Sequence, residues 1–151
     1  MTTHTYRSTL AWEGSTAEGY DAYSRTHRVA APPAANELTL SSDTAFRGDG
    51  ELMNPEQLLV VAASSCQLLS FLTLAARSRI DVVGYEDDAD GVMPEDDHPT
   101  RITRITLRPR IRLAPGSNLD RARRLVAKAH EQCYIANSLK TEVVVEADFD
   151  A

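Results

Sequence analysis

The chain has 151 residues, of which 42% are hydrophobic and 6% aromatic, and its formal net charge is −6. This length and composition predict one globular domain, spanning residues 1–151, that buries a core without disulfide cross-links. The 2 cysteines are too few for a disulfide-rich scaffold or a four-thiolate zinc site. The negative charge argues against a general nucleic-acid-binding role. The N-terminus shows no export signal, which predicts a cytoplasmic protein with reduced thiols.

The first fifty or so residues predict β-structure. Strand-like segments occupy residues 5–12 and 20–29, and Gly14 and Gly19 suit a turn between them. A short third strand is predicted over residues 37–40.

The clearest local signal in the chain is a helix start at Asn54, Pro55 and Glu56. Asparagine is a preferred N-cap, proline suits the first helical position, and an acid in the first turn meets the positive end of the helix dipole. These residues predict a helix that begins at Pro55 and continues to about Arg79.

The middle of this predicted helix is apolar on every side. Residues 58–76 include no charged side chain. A surface helix has a polar face, so we predict a buried helix that packs between a sheet and a second helix, from this chain or from a second subunit. The alternative is a membrane span, for which the length is nearly sufficient. The hydroxyl and amide side chains within the segment lower its hydropathy, and we therefore predict no membrane association.

Two strands are predicted next, over residues 81–92 and 101–113, joined by an acidic loop. In the second strand, apolar residues alternate with polar ones. The apolar face comprises Ile105, Leu107, Ile111 and Leu113, and the polar face comprises Thr106, Arg108, Arg110 and Arg112. The polar face is either an anion-binding stripe or a solvated face, and we favour a solvated face neutralised by acids across the hairpin, namely Glu86, Asp87, Asp88 and Asp90. Pro109 suggests an edge position or a bulge.

The C-terminal third predicts a second helix over residues 119–132, with Asn118 or Ser117 as its cap. A break and a short helix follow over residues 133–139, and residues 141–147 form a last strand. The order of elements predicts an α+β fold with a mainly antiparallel sheet, a long central buried helix and a second helix.

Two thiols are the candidates for chemistry. Cys66 lies inside the apolar helix, where a cysteine is commonly a small core side chain. Cys133 lies where one helix ends and a short one begins, and a helix N-terminus lowers the pKa of a thiol. His130 and Cys133 share a helical face, but zinc needs three or four ligands, so we predict no metal site. The chain also lacks a nucleophile elbow and a glycine-rich phosphate loop, which disfavours hydrolase and nucleotide-binding functions.

Two motifs surround the cysteines. They are Asn54-Pro55-Glu56-Gln57-Leu58-Leu59 with Ala63-Ser64-Ser65-Cys66, and Cys133-Tyr134-Ile135-Ala136-Asn137-Ser138. These motifs resemble the OsmC/Ohr family of thiol-dependent hydroperoxide reductases. The segments at 20–29 and 85–91 resemble one branch of that family, so that the similarity spans most of the chain.

The resemblance implies an intertwined homodimer and a peroxidase cycle without metal, haem or flavin. By position, Cys66 would be the peroxidatic thiol, Cys133 the resolving thiol, and Glu56 the acid that holds a catalytic arginine. We assign that arginine to Arg25, with Arg28 as the second choice. A dithiol of the lipoyl type would be the reductant, and the alternative functions are a non-catalytic binding module of the same fold or a redox sensor.

Helix geometry adds one inference about Glu56 and Cys66. Ten residues on a straight helix separate two positions by about 15 Å along the axis and about 80° around it. The two side chains of one chain therefore cannot meet around one peroxide. If both serve one site, Glu56 reaches Cys66 of the partner subunit, through antiparallel crossing of the two long helices.

Overall fold

Three α-helices and nine β-strands follow one another in residues 1–150, the part of the chain that the computed structural model describes. The chain forms two compact units, of which the first comprises Met1–Leu58 and the second begins at Leu59. Helix α1, Pro55–Arg77, begins in the first unit and continues in the second. That the whole chain acts as a single domain stays a prediction.

The first unit contains a three-stranded antiparallel sheet in the order β1-β2-β3. Its strands are β1 Thr9–Ala11, β2 His27–Ala30 and β3 Glu37–Leu40. The third has the predicted bounds, whereas the strand predicted over residues 20–29 starts only at His27. The carbonyls of Tyr20 and Tyr23 accept hydrogen bonds from the Arg25 side chain, which leaves them unavailable to a strand ladder. A short 3-10 helix at Thr44–Phe46 then leads towards α1.

The start of α1 is held by a reciprocal pair of hydrogen bonds. The Asn54 side chain accepts from the Gln57 backbone N–H at 2.8 Å, and the Gln57 side chain accepts from the Asn54 backbone N–H at 2.9 Å. This is the capping-box arrangement, with Asn54 as the cap. The prediction of a helix that starts at Pro55 is confirmed, and the helix ends at Arg77, two residues before the predicted end.

Only one face of α1 is fully buried within the chain. That face is a stripe at four-residue spacing, which consists of Ala63, Gln67, Phe71 and Ala75. By length and composition α1 could cross a membrane, with a mean hydropathy of 2.0 over its most apolar window. However, Ala63 and Phe71 belong to the two hydrophobic cores of the second unit, which makes α1 a core helix of a folded domain.

The second unit contains two three-stranded sheets, in the orders β4-β7-β9 and β5-β6-β8. In each sheet the first pair of strands is antiparallel and the second pair is parallel. The α+β class with a mainly antiparallel sheet is therefore confirmed. The strands are β4 Val82–Asp87, β5 Asp90–Val92, β6 Arg104–Leu107, β7 Pro109–Leu113, β8 Glu142–Val145 and β9 Asp148–Asp150.

The two long strands predicted over residues 81–92 and 101–113 are each broken into two. Near Arg108 the cause is visible, because the Asp87 carboxylate accepts from the Arg108 backbone N–H at 2.7 Å. Pro109 follows and has no N–H to donate. The edge position suggested for Pro109 is wrong, since it is the first residue of β7, which lies between β4 and β9. The last predicted strand, over residues 141–147, corresponds to β8. Strand β9 follows it and was not predicted.

The predicted alternation along residues 101–113 holds for the apolar face, which is buried. On the other face the three arginines are exposed, but Thr106 is buried, contrary to the prediction. Arg108 pairs with Asp90 across the hairpin, as expected. Arg110 instead pairs with Asp150 at 2.8 Å, because β9 lies beside β7 and brings a new carboxylate to that face.

Two helices complete the second unit, α2 at Leu119–Gln132 and α3 at Tyr134–Asn137. Asn118 caps α2 by accepting from the Arg121 backbone N–H at 2.9 Å. The buried face of α2 consists of Ala122, Leu125, Val126 and Ala129.

Candidate functional site

The two cysteines lie on different elements of the second unit, and both are free thiols. Cys66 is in the middle of α1 and is partly exposed. Cys133 is 1% exposed and occupies the junction at which α2 ends and α3 begins. The two thiols therefore differ in exposure, since Cys66 is accessible and Cys133 is buried.

Folding brings these two thiols close to each other, although 66 other residues separate them in the sequence. The neighbouring Cys66 side chain raises the pKa of the Cys133 thiol. A reduced pair in this arrangement can be oxidised to a disulfide, provided that the sulfur atoms reach bonding geometry.

Cys133 has a pKa above the ordinary thiol value, and burial is the largest cause. The backbone N–H groups of Ala136 and Ile135, at the start of α3, act in the opposite direction and lower it. The expectation that the helix start lowers the pKa of Cys133 is therefore wrong in its net sign. The cost of placing a thiolate in a buried environment exceeds the stabilisation by the amides of a helix of 4 residues.

The α1 helix around Cys66 is anchored by polar contacts on either side. The buried Gln67 amide donates to the Val126 carbonyl of α2 at 3.3 Å. The Ser64 hydroxyl donates to the carboxylate of Asp87 at the end of β4. Because these contacts lie on both sides of Cys66 in the sequence, they fix how α1 is rotated about its axis at Cys66 and where Cys66 lies along that axis.

A cavity of about 460 Å³ lies beside this part of α1. Its polar lining includes the hydroxyl-bearing Ser64, Ser65 and Tyr85. The buried Tyr85 hydroxyl has no hydrogen-bond partner within residues 1–150, and burial raises its pKa. Sequence reasoning missed Tyr85 as an individual site residue, because only the tertiary structure brings β4 next to α1. The apolar lining consists of Val60, Val61, Leu68 and Ala89.

Arg25, Arg28 and Glu56 all belong to the first unit. The Arg25 guanidinium lies over the Tyr23 ring, 3.6 Å from its centroid, and 4.7 Å from the centroid of Tyr20. It also donates to the backbone carbonyls of both tyrosines, so its position is fixed locally. Arg28 is exposed on β2, and Glu56 is partly exposed in the first turn of α1.

The site has no arrangement of side chains typical of a metal centre. Within residues 1–150, no three or more histidine, cysteine, aspartate or glutamate side chains converge so as to hold a metal ion. The buried Nδ1 atom of His130, three residues before Cys133, also lacks a hydrogen-bond partner in this part of the chain.

Solved structures with the same fold include proteins linked to hydroperoxide resistance. An OsmC-like protein of unknown function from Vibrio cholerae superposes with a TM-score of 0.87, at 29% identity, covering 97% of this chain and 100% of that one. An organic hydroperoxide resistance protein OsmC from Legionella pneumophila superposes with a TM-score of 0.70, at 19% identity, covering 100% of both chains. At that identity the likeness to the Legionella protein shows the fold alone.

The sequence comparisons agree with the structural ones. The uncharacterized protein YmaD of Bacillus subtilis is 23% identical over 104 residues, which are 67% of this chain and 69% of YmaD. Residues 48–148, which include both cysteines, match the family described as OsmC-like protein. A match over this share of the chain, together with the fold and the cysteine motifs, shows that the chain belongs to the OsmC family.

Proposed function

We propose that this protein is a thiol-dependent peroxidase, which reduces organic hydroperoxides through Cys66 and Cys133 and is regenerated by a dithiol of the lipoyl type. The observation that carries the proposal is that folding brings the two free thiols close to each other, with Cys66 partly exposed and Cys133 buried. Membership of the OsmC family supports it, because this family includes peroxidases.

The first step of the proposed cycle oxidises Cys66. Its thiolate attacks the terminal oxygen of the hydroperoxide, the O–O bond breaks, and the alkoxide leaves with a proton as the alcohol. The sulfur gains the oxygen and becomes a sulfenic acid. Because Cys66 is the more exposed of the two thiols, it is the one that a substrate can reach.

In the second step Cys133 resolves the sulfenic acid. Its sulfur attacks the sulfur of oxidised Cys66, a disulfide forms, and the Cys133 proton and the sulfenic hydroxyl leave as water. An external dithiol then exchanges with this disulfide, which restores both thiols and leaves the reductant as its own disulfide. Burial protects Cys133 from direct oxidation by the substrate.

The cavity beside α1 supports an organic hydroperoxide as the substrate. Ser65, the residue before Cys66 in the sequence, lines it, and its volume of about 460 Å³ suits a small organic molecule. Val60 and Leu68 offer an apolar surface to the alkyl group of an organic hydroperoxide, a group that hydrogen peroxide lacks.

The working form in this proposal is a cytoplasmic homodimer. Proteins of the OsmC family are soluble, generally cytoplasmic and generally dimeric. Large apolar side chains of α1 remain exposed within one chain, including Val61 at 53% and Leu69 at 60%. A second copy that covers these side chains would place Glu56 beside Cys66 of the partner subunit, which one chain alone cannot do on a straight helix.

Arg25 has the role of the catalytic arginine in this proposal. A guanidinium carries a permanent charge, so it would stabilise both the Cys66 thiolate and the negative charge that develops on the leaving oxygen. The stacking of Arg25 on Tyr23 supports this choice over Arg28, because it orients the guanidinium before a substrate arrives.

The test is steady-state reduction of cumene hydroperoxide with dihydrolipoamide as the reductant. We expect Cys66→Ser to abolish turnover, and Cys133→Ser to consume about one equivalent of peroxide and then stop. Arg25→Lys should lower the rate far more than the matched Arg28→Lys. A Cys66→Ser protein that works at the wild-type rate would exclude the proposal. Wild-type protein that forms the disulfide with peroxide but does not turn over would be a sensor, and protein that forms none would be a binding module.

A further inference from the structure

A second cavity lies at the opposite end of α1 from its N-terminal cap. It has a volume of about 620 Å³ and is lined by residues from the end of α1, from the start of β4 and from the start of α2. The lining includes Arg77, Arg79 and Arg121, together with the hydroxyl groups of Ser78 and Ser117.

The charge of this cavity is opposite to that of the whole protein. Three arginines and one acid, Asp81, line it, which leaves a balance of +2 in a chain of net charge −6. None of Arg77, Arg79 and Arg121 forms an ion pair within residues 1–150. In contrast, Arg108 and Arg110 of the sheet are each paired with an aspartate. Within residues 1–150, Asp81 therefore compensates only part of the positive charge of the cavity.

Arg79 occupies a backbone position that favours glycine. Its φ is 59°, in the left-handed region, directly after α1 ends. The N–H of Ile80 donates to the Ala75 carbonyl at 2.9 Å and the N–H of Arg79 to the Ala76 carbonyl at 3.2 Å, which closes the helix in a Schellman-like turn. Glycine is the usual residue at this point of such a turn. The chain thus carries an arginine where backbone preference alone would select glycine, and its side chain lines the cavity.

We propose that this cavity binds a small molecule that carries a phosphate group. Guanidinium groups bind phosphate oxygens through paired hydrogen bonds, and three of them can share the oxygens of one phosphate. The start of α2, which is the positive end of its helix dipole, also lines the cavity and favours an anion there. The volume of the cavity is that of a small-molecule site. The backbone carbonyls of Ala75 and Ala76 at the end of α1 do not oppose an anion strongly, because backbone N–H groups already donate to them.

The position of the cavity makes it independent of the thiol chemistry. Arg77 lies eleven residues after Cys66 on α1, which corresponds to about 16 Å along the helix axis. A phosphate held by these arginines therefore cannot touch either thiol, and its binding can be present or absent whether or not the protein is a peroxidase.

The test is titration calorimetry of the full-length protein at constant ionic strength. The probes are inorganic phosphate, pyrophosphate and adenosine monophosphate, which separate a free phosphate from an ester. We expect saturable binding of at least one probe and a weakening of about tenfold or more in the double variant Arg77→Gln/Arg121→Gln. The double variant Arg124→Gln/Lys128→Gln removes the same two charges from exposed positions on α2 outside the cavity, and it should leave the affinity within about twofold.

Arg79→Gly provides a second variant that separates binding from folding. Glycine adopts the left-handed conformation at this position without strain, so the melting temperature of the free protein should rise. Phosphate binding should weaken, because one guanidinium group is lost. Absence of saturable binding of all three probes at millimolar concentration would overturn the proposal. So would equal weakening by Arg124→Gln/Lys128→Gln and by Arg77→Gln/Arg121→Gln, since that would show a nonspecific response to net charge.

Discussion

At the scale of single residues, the two thiols differ because their surroundings differ. Cys133 is buried beneath the start of α3, and its pKa is raised first by burial and then by the neighbouring Cys66 thiol. A thiol in this environment stays protonated at a pH at which a free cysteine begins to ionise. The reaction of Cys133 with oxidised Cys66 therefore depends more on the closeness of the two sulfur atoms than on the ionisation of Cys133.

The raised pKa of Cys133 predicts a pH dependence of the stability of the reduced protein. The unfolded chain loses this proton at the ordinary thiol pKa, about 8.5, whereas the folded chain holds it to higher pH. The contribution to stability is therefore complete below about pH 8.5 and is lost as the pH rises towards the pKa of the folded state.

The measurement is the free energy of unfolding in urea, with reductant present, between about pH 7 and pH 10. We expect wild-type protein to lose stability over this range relative to Cys133→Ala, which cannot titrate at that position. All other titrating groups are present in both proteins, so their contribution to the pH dependence cancels in the comparison. Parallel curves for the two proteins would show that the pKa of Cys133 is not raised.

At the scale of elements, α1 is the helix that organises the site. Its start is set locally by Asn54 and Gln57, and its buried stripe packs into the hydrophobic cores of the second unit. The cap matters for function because the register of α1 sets the direction in which Cys66 and Glu56 point.

Removal of the cap should destabilise the protein by a measurable amount. In Asn54→Ala the Gln57 backbone N–H loses its acceptor, and Asn54 is only 7% exposed, so water does not easily replace it. We expect a loss of about 1 kcal/mol in the free energy of unfolding. Asn54→Asp keeps an acceptor at the same place and should lose much less. Equal losses in the two variants would indicate that packing, and not the cap, is responsible.

The strands show where sequence patterns stop being informative. Alternation of apolar residues correctly predicted the buried face formed by Ile105 and Leu107. It did not predict the break at Arg108, because that break depends on the Asp87 side chain, which comes from another strand. It also missed Asp150 as the ion-pair partner of Arg110, since Asp150 reaches Arg110 only once β9 pairs with β7.

At the scale of the whole molecule, the exposed apolar face of α1 supports a working form with two subunits. Leu69 and Val61 lie on this face, and Glu56 and Cys66 lie too far apart along α1 to share a site within one chain. We therefore expect each site of the proposed dimer to combine Cys66 of one protomer with Glu56 of the other.

Complementation between two inactive variants tests this arrangement. Glu56→Gln and Cys66→Ser should each have little peroxidase activity alone. A mixed dimer would contain one intact site, made of Cys66 from the first variant and Glu56 from the second. After the subunits are unfolded together and refolded, activity should recover to about one quarter of the wild-type value, since roughly half of the dimers are mixed.

The control adds Leu69→Lys to both variants, which places a charge on the exposed face of α1. We expect this change to prevent both dimer formation and recovery, as measured by light scattering and peroxide consumption. Failure of the mixed sample to recover, although mixed dimers are present, would show that Glu56 acts on its own chain or has no role in the reaction.

The sequence by itself determined the features that depend on neighbouring residues. These include the start of α1 at Pro55, the bounds of α2 and the cysteine motifs from which the family was identified. Caps, helix periodicity and strand alternation are properties of a few consecutive residues, so they can be read without knowledge of the fold.

Only the tertiary structure decided which distant groups meet. It placed Cys66 against Cys133, and it gave Cys133 a raised pKa although its position at a helix start predicted the opposite. It also gathered Arg77, Arg79 and Arg121 around one cavity. The physical reason is the same in each case: burial and charge depend on all surrounding elements, and these come together only when the chain folds.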